Sequence, residues 1–196
     1  MIIIMKKEDQ ILYEIWNELN LSLKTSNHPF HIFSVSTIKD NKPDARNVVL
    51  RSVDKEIRTI TFHTDKRSKK IKQINNSPDT CALFYDQQKK IQLRIYGKIS
   101  INDDSYKIKE RWNKSRDMSK LCYLNKISPG DKISSSKEYL YDKDDLNNIN
   151  TGINNFSIID INIESIDFLN LNHKGHERII FNFTKDNETI FNWVAP

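Results

Sequence analysis

The spacing of apolar residues changes twice along the chain. Ile11, Leu12, Ile15, Trp16, Leu19 and Leu23 recur three or four positions apart, which predicts an amphipathic helix over residues 8–23 with one buried stripe. The period then drops to two. Phe30–Ile38, Asn47–Val53, Ile57–Thr64, Thr80–Tyr85 and Ile91–Ile101 read as short strands. The clearest alternation is I-Q-L-R-I-Y-G-K-I-S-I, with Ile91, Leu93, Ile95, Ile99 and Ile101 on one face and Gln92, Arg94, Tyr96 and Lys98 on the other. Turn-forming stretches (D-N-K-P, D-K-E, N-N-S-P-D, D-Q-Q-K-K) separate these runs. Helical spacing returns over 103–126, and residues 127–155 are polar and weakly periodic. Phe156–Leu171, Arg178–Thr184 and Thr189–Val194 close the chain as strands.

Strands joined mostly by short turns, with few helices between them, favour an antiparallel barrel over a doubly wound sheet. The expected class is mainly β with flanking helices (α+β). One domain is expected over residues 1–196, with a barrel core over 30–101 and a mobile polar loop at 142–155.

Composition narrows the function classes. A chain of 196 residues, 29% charged and 37% hydrophobic, suits one soluble globular domain with a real core. Four Gly and five Pro argue against repeats, linkers and a Gly-rich nucleotide loop. The net charge of +5 permits an anionic ligand or nucleic acid without demanding either. Cys81 and Cys122 form no C-x-x-C and read as reduced thiols. The apolar run in M-I-I-I-M-K-K is too short for a signal peptide, and no stretch approaches the roughly 18 apolar residues of a membrane span, so a cytoplasmic protein is expected.

The charge is concentrated in F-H-T-D-K-R-S-K-K-I-K-Q-I, residues 62–74, where Lys66, Arg67, Lys69, Lys70 and Lys72 follow a predicted strand and open a predicted helix. A helix N-terminus offers unpaired N–H groups and partial positive charge, and Lys or Arg beside it adds charge-assisted bonds, a combination that holds phosphate. Ser68 is placed to cap a helix starting near residue 69. The plain alternative is a solvated basic face on an ordinary helix.

The surrounding order of motifs bears on that choice. Upstream stands D-A-R-N-V-V-L-R-S-V-D, residues 44–54, and downstream Q-L-R-I-Y-G-K, residues 92–98. In this order and spacing, from about residue 28 to Pro196, the chain resembles the pyridoxamine 5′-phosphate oxidase superfamily, the FMN-binding split barrels. The resemblance implies an antiparallel split β-barrel, FMN as cofactor, and a homodimer with FMN at the subunit interface. It assigns Arg46, Asn47, Val48, Val49, Leu50 and Arg51 to the cofactor, together with His63, Thr64, Ser68, Lys69, Lys70 and Gln92. Arg178 would reach the flavin from the other subunit. In a regular strand, however, Arg46 and Arg51 have opposite parity and point to opposite faces. They approach one ligand only at strand ends, through a bulge, or by serving different subunits.

The same resemblance implies an oxidase that converts pyridoxamine or pyridoxine 5′-phosphate to pyridoxal 5′-phosphate with oxygen, releasing hydrogen peroxide. Its substrate residues would be Arg51, Trp112, Arg116, Ser119, Lys174 and His176. Four of the matches depart from the family pattern. Arg51 replaces a Lys, Trp112 stands for a Tyr, Ser119 fits with a one-residue gap, and Leu169 replaces a cofactor-packing Trp. The alternatives are an FMN-binding oxidase-like protein with another small-molecule substrate or no activity, and a basic nucleic-acid-binding barrel. The last finds only Tyr96 between Arg94 and Lys98 as a stacking platform, so neither nucleic acid nor membrane is expected as a partner. His173 and His176 beside Glu177 lack further ligands at a recognisable spacing, so no metal is expected.

Overall fold

The computed structural model describes residues 6–139, 143–186 and 188–196. After helix α1 (Lys7–Ser22) come strands β1 (Ile32–Lys39), β2 (Lys42–Asp54) and β3 (Thr59–Asp65), then helix α2 (Lys69–Asn76). Strands β4 (Asp79–Asp86) and β5 (Ile91–Asn102) follow, then helix α3 (Ser105–Lys114) and the short helix α4 (Asp117–Lys120). Strands β6 (Phe156–Asn170), β7 (Glu177–Phe183) and β8 (Thr189–Trp193) end the chain.

Every pairing is antiparallel. The order β3-β2-β1-β4-β5-β6 closes through a β3–β6 pairing into a six-stranded barrel, and β7 and β8 extend from β6. This is an antiparallel split barrel with flanking helices. Long β6 makes both arrangements possible: Phe156–Asn162 pair with β3, while Ser165–Asn170 pair with β7. A register shift between Tyr96 and Gly97 on β5 accompanies that change of partner. The strands approach so closely there that a Cβ on Gly97 would sit 2.0 Å from the Asn162 carbonyl oxygen, so the position requires glycine. The β1–β2 hairpin turns through Asp40 and Asn41, both at positive φ (50° and 59°), the two-residue turn whose twist matches the strands.

Alternation along the strands points one face inward. Phe33 stacks on Phe84 at 4.6 Å, and Leu93, Ile95, Ile159 and Phe181 fill the same core. Helix α1 covers one end with Ile11, Ile15, Trp16 and Leu19, the stripe predicted from spacing. Trp112, Tyr123, Phe156 and Ile158 form a smaller cluster under α3.

Two regions differ from expectation. The helical span over 103–126 breaks at Ser115 and Arg116, whose backbones are extended. The Ser115 hydroxyl donates back to the Arg111 carbonyl (2.8 Å), a local bond that competes with helix continuation. The 142–155 stretch, expected to be a mobile loop, forms 3-10 turns from Lys143 to Asn155; residue 142 lies outside the described residues. Within it Gly152 is buried, so close to Trp112 that an added Cβ would meet the ring at 2.8 Å.

Candidate functional site

Two neighbouring cavities open where β2 and β3 meet the helices. The first, about 310 Å³, is lined by Arg46–Val49 and Arg51 of β2, His63–Asp65 of β3, Ser68 and Lys70 at the start of α2, and Cys122, Tyr123 and Pro129. Its cations are positioned by polar neighbours. The Arg46 guanidinium donates to Thr37 Oγ1 (2.5 Å) and Gln73 Oε1 (3.1 Å), and pairs with Asp44 (2.8 Å). Lys70 Nζ donates to Thr64 Oγ1 (2.8 Å) and Ser68 Oγ (3.1 Å). Burial, followed by repulsion from Arg46, lowers the Lys70 pKa. Ser68 is the N-cap residue of α2, yet its hydroxyl makes no capping bond and faces Lys70 instead. The neighbouring Asp65 carboxylate is taken by Arg67 (2.6 Å).

The second cavity, about 570 Å³, is lined by Leu23–Ser26 after α1, His31, Val49, Arg51, His63, Arg111 and Lys114–Arg116 and Ser119 around α3 and α4. The lining holds Lys24, Arg51, Arg111, Lys114 and Arg116 and no carboxylate. Lys114 is paired with Glu110 (2.6 Å), and Arg111 reaches Ser52 Oγ (3.2 Å).

Val49, Arg51 and His63 line both cavities. The parity conflict between Arg46 and Arg51 is resolved by a β-bulge: Leu50 pairs with Phe62 and Ser52 with Thr61, leaving Arg51 as the extra residue. The His63 ring meets Phe156 edge-on at 4.7 Å, and its Nε2 is buried without a hydrogen-bond partner among the described residues. Desolvation, then the nearby charges of Arg51 and Arg111, push its pKa down to about 3.

The other residues picked out in the sequence lie elsewhere. Leu50 belongs to the barrel core. Lys69 runs past Gly130, its Cε 3.4 Å from where a Cβ would stand, and lines neither cavity. Trp112 is 2% exposed, in the small aromatic cluster, and its indole N–H has no partner there. Gln92 pairs across to Tyr85 and Leu169. Lys174 and His176 are exposed in the β6–β7 turn, and Arg178 forks onto Asp167 at 3.0 and 2.9 Å. Asp167 also takes Arg94 at 2.5 Å. Sequence reasoning missed Arg111, Gln73 and the Lys24–Ser26 segment. Gln73 lies within the cation-rich stretch at residues 62–74, five positions after Ser68. Arg111 carried a signal only as the neighbour of Trp112: once the indole turns inward, the adjoining side chain faces the cavity.

A phosphate ester suits the first cavity. Lys70, Arg46, two hydroxyls and the start of a helix converge, and Val48 and Val49 offer apolar surface beside them. The fold and this lining define an FMN-binding split barrel. Residues 13–103 match the family model described as pyridoxamine 5′-phosphate oxidase, FMN-binding domain. Pyridoxine/pyridoxamine 5′-phosphate oxidase 2 of Arabidopsis thaliana is 27% identical over 177 residues, covering 85% of this chain and 87% of the plant protein. A pyridoxine/pyridoxamine 5′-phosphate oxidase of Leptospira interrogans is 34% identical over 62 residues, 32% of this chain and 28% of the bacterial protein. Among solved structures, a pyridoxamine 5′-phosphate oxidase-related, FMN-binding protein of Nostoc punctiforme has a TM-score of 0.73 at 18% identity, covering 99% of this chain and 100% of that one. PhzG of Burkholderia lata, solved with tetrahydrophenazine-1-carboxylic acid, has a TM-score of 0.70 at 15% identity, covering 100% and 99%. Residues 13–103 thus resemble the FMN-binding domain of the pyridoxamine 5′-phosphate oxidases, and the cofactor is FMN.

Among the described residues no helix is long and apolar enough to cross a membrane, and no three His, Cys, Asp or Glu side chains come together as a metal site.

Proposed function

We propose that this protein is an FMN-dependent oxidase of a small anionic molecule, with pyridoxine or pyridoxamine 5′-phosphate the first substrate to test. The observation that carries the reading is the pair of cationic cavities sharing Val49, Arg51 and His63. One suits the cofactor phosphate, and the other stands ready for a second anion at the edge of the flavin. FMN supplies hydride acceptance and reoxidation by oxygen. The protein's part is orientation. Lys70, Arg46, Thr64 and Ser68 hold the cofactor phosphate, and Val48 and Val49 cover the ring. Arg51, Arg111, Arg116 and Ser119 hold the substrate anion, so that binding energy at the anion fixes the reacting carbon.

Gln92, Lys174, His176 and Arg178 line neither cavity. In this reading they complete the site of a second protomer. The outer face of β4 and β5 supports self-association, because Leu83, Tyr85 and Tyr96 are exposed there. Lys69 completes the basic shell from outside the pocket.

A second reading, an FMN protein with another substrate or no turnover, is favoured by one observation: Trp112, at a position assigned to substrate, is buried in the aromatic cluster. Purified protein supplied with FMN, then with pyridoxine 5′-phosphate under air, separates the readings. Bound flavin with peroxide release supports the oxidase. Bound flavin without peroxide supports the second reading, and protein that binds no flavin overturns both.

A further inference from the structure

We propose that Gln73 is a positioning residue that makes the first cavity select phosphorylated flavin over riboflavin, by holding Arg46 beside Lys70. The inference rests on the reading of that cavity as the cofactor-phosphate site. Gln73 is buried on α2, three positions after Lys70 and on the same helix face. It lines neither cavity, so it reaches a ligand only through its neighbours.

The Gln73 amide closes a ring of hydrogen bonds across β1, β2 and α2. Its Oε1 accepts from the buried Thr37 hydroxyl of β1 (2.6 Å) and from Arg46 Nη2 (3.1 Å). Its Nε2 donates to Asp44 Oδ2 (2.8 Å), and the same carboxylate oxygen takes Arg46 Nη2 (2.8 Å). Arg46 Nη1 then donates to Thr37 Oγ1 (2.5 Å). The guanidinium has five N–H donors; its bonds to Thr37, Gln73 and Asp44 fix its plane and leave donors for a ligand. The helix that carries Ser68 and Lys70 is thereby tied to the strand that carries Arg46.

That tie has an electrostatic consequence. Arg46 and Lys70 repel each other, and this repulsion adds to burial in lowering the Lys70 pKa. Two like charges stay together only if their surroundings fix both. Thr64 and Ser68 accept from Lys70 (2.8 and 3.1 Å), and the Gln73 ring fixes Arg46. A phosphate dianion entering this corner meets both cations without reorganisation, which favours its binding. Riboflavin has the same ring and ribityl chain but ends in a hydroxyl, so the assembled pair adds little to its affinity. A buried amide that only satisfied Thr37 would serve both flavins equally.

The test is fluorescence titration of the full chain with FMN and with riboflavin, comparing wild type, Gln73→Leu and Gln73→Asn. Wild type should prefer FMN by at least about 10-fold, the effect of a charge-assisted bond. Each variant should cut that preference about 10-fold, with riboflavin affinity changed by less than about 3-fold. Gln73→Asn keeps an amide at the buried position, so it serves even where the leucine variant does not fold. In an Arg46→Ala background the same changes should move the preference by less than about 2-fold, since the residue they act through is gone. An undiminished preference, or equal losses for both flavins, overturns the proposal and leaves Gln73 a purely structural amide. Wild type that binds both flavins alike overturns the phosphate-site reading itself, a result distinct from the first.

Discussion

Arg46 and Arg51 lie on one strand at opposite parity, yet both line the same cavity because Arg51 is the extra residue of a β-bulge. The bulge gives Arg51 access to the second cavity as well, which Arg46 lacks. The two arginines thus differ in how firmly they are held. Arg46 is pinned by Thr37, Gln73 and Asp44, whereas Arg51 makes no ion pair among the described residues.

Arg51→Ala should therefore weaken FMN and anion binding together, while Arg116→Ala should weaken only the anion. Each lost charge-assisted bond is worth roughly 1.5–3 kcal/mol, about a 10- to 100-fold change in Kd. Flavin titration and inorganic phosphate binding to the FMN-loaded protein measure the two effects. Loss of FMN in Arg116→Ala would move that residue into the cofactor site.

Lys69 and Lys70 are adjacent, but only Lys70 lines the first cavity. Lys70→Ala should weaken FMN binding by about 10-fold or more without unfolding the protein. Lys69→Ala should change it by less than about 3-fold, as a solvent-screened cation does. Equilibrium dialysis against FMN distinguishes them, and equal losses would put Lys69 in direct contact with the phosphate.

Asp167 is the shared acceptor of Arg94 and Arg178 and is itself buried. Asp167→Ala leaves two part-buried guanidinium groups facing each other. The expected loss is roughly 2–3 kcal/mol in urea denaturation, below the range for a fully buried pair because both arginines are partly solvated. A loss below about 0.5 kcal/mol would show that water replaces the carboxylate at no cost.

Gly152→Ala drives a methyl group into the Trp112 ring, 2.8 Å from its nearest atom. Overpacking of this kind costs about 1–3 kcal/mol. The expected signature is a lowered Tm with an altered tryptophan fluorescence. An unchanged Tm would mean that the 143–155 turns yield easily.

The His63 ring also makes stability depend on pH. Its folded pKa, about 3, lies below the ordinary value of 6.5, so between these limits the unfolded chain binds more protons. Stability is then complete above about pH 6.5 and falls as the pH drops toward 3. Between about pH 7 and 5 the contribution is about 2 kcal/mol. Denaturation of the wild type at both pH values, compared with His63→Gln, should show that slope in the wild type and its loss in the variant. Equal slopes would place the buried titration on another group.

Much of the barrel was legible because period-two alternation registers a face directly: β5 runs Ile91–Asn102 against a predicted Ile91–Ile101, and α2 occupies Lys69–Asn76 behind Ser68 as expected. Weak periodicity hid the 143–155 turns, which touch the aromatic cluster where Gly152 packs against Trp112. The stretch at residues 62–74 pointed to a candidate phosphate corner, and Lys70 does line a cavity there, but charge alone could not tell Lys70 from Lys69, since adjacent helical positions point about 100° apart and only the tertiary surroundings say which direction is inward.

By itself the sequence determined a β-rich barrel with an amphipathic N-terminal helix and a cluster of cations at one strand-to-helix junction. The tertiary structure decided which cations share a cavity. It placed Arg51 in a bulge, turned Trp112 into the aromatic cluster so that Arg111 faces the pocket, and left His63 neutral among arginines. Alternation and composition are properties of neighbours along the chain, whereas a bulge, a buried orphan nitrogen and a shared wall arise only when distant segments meet.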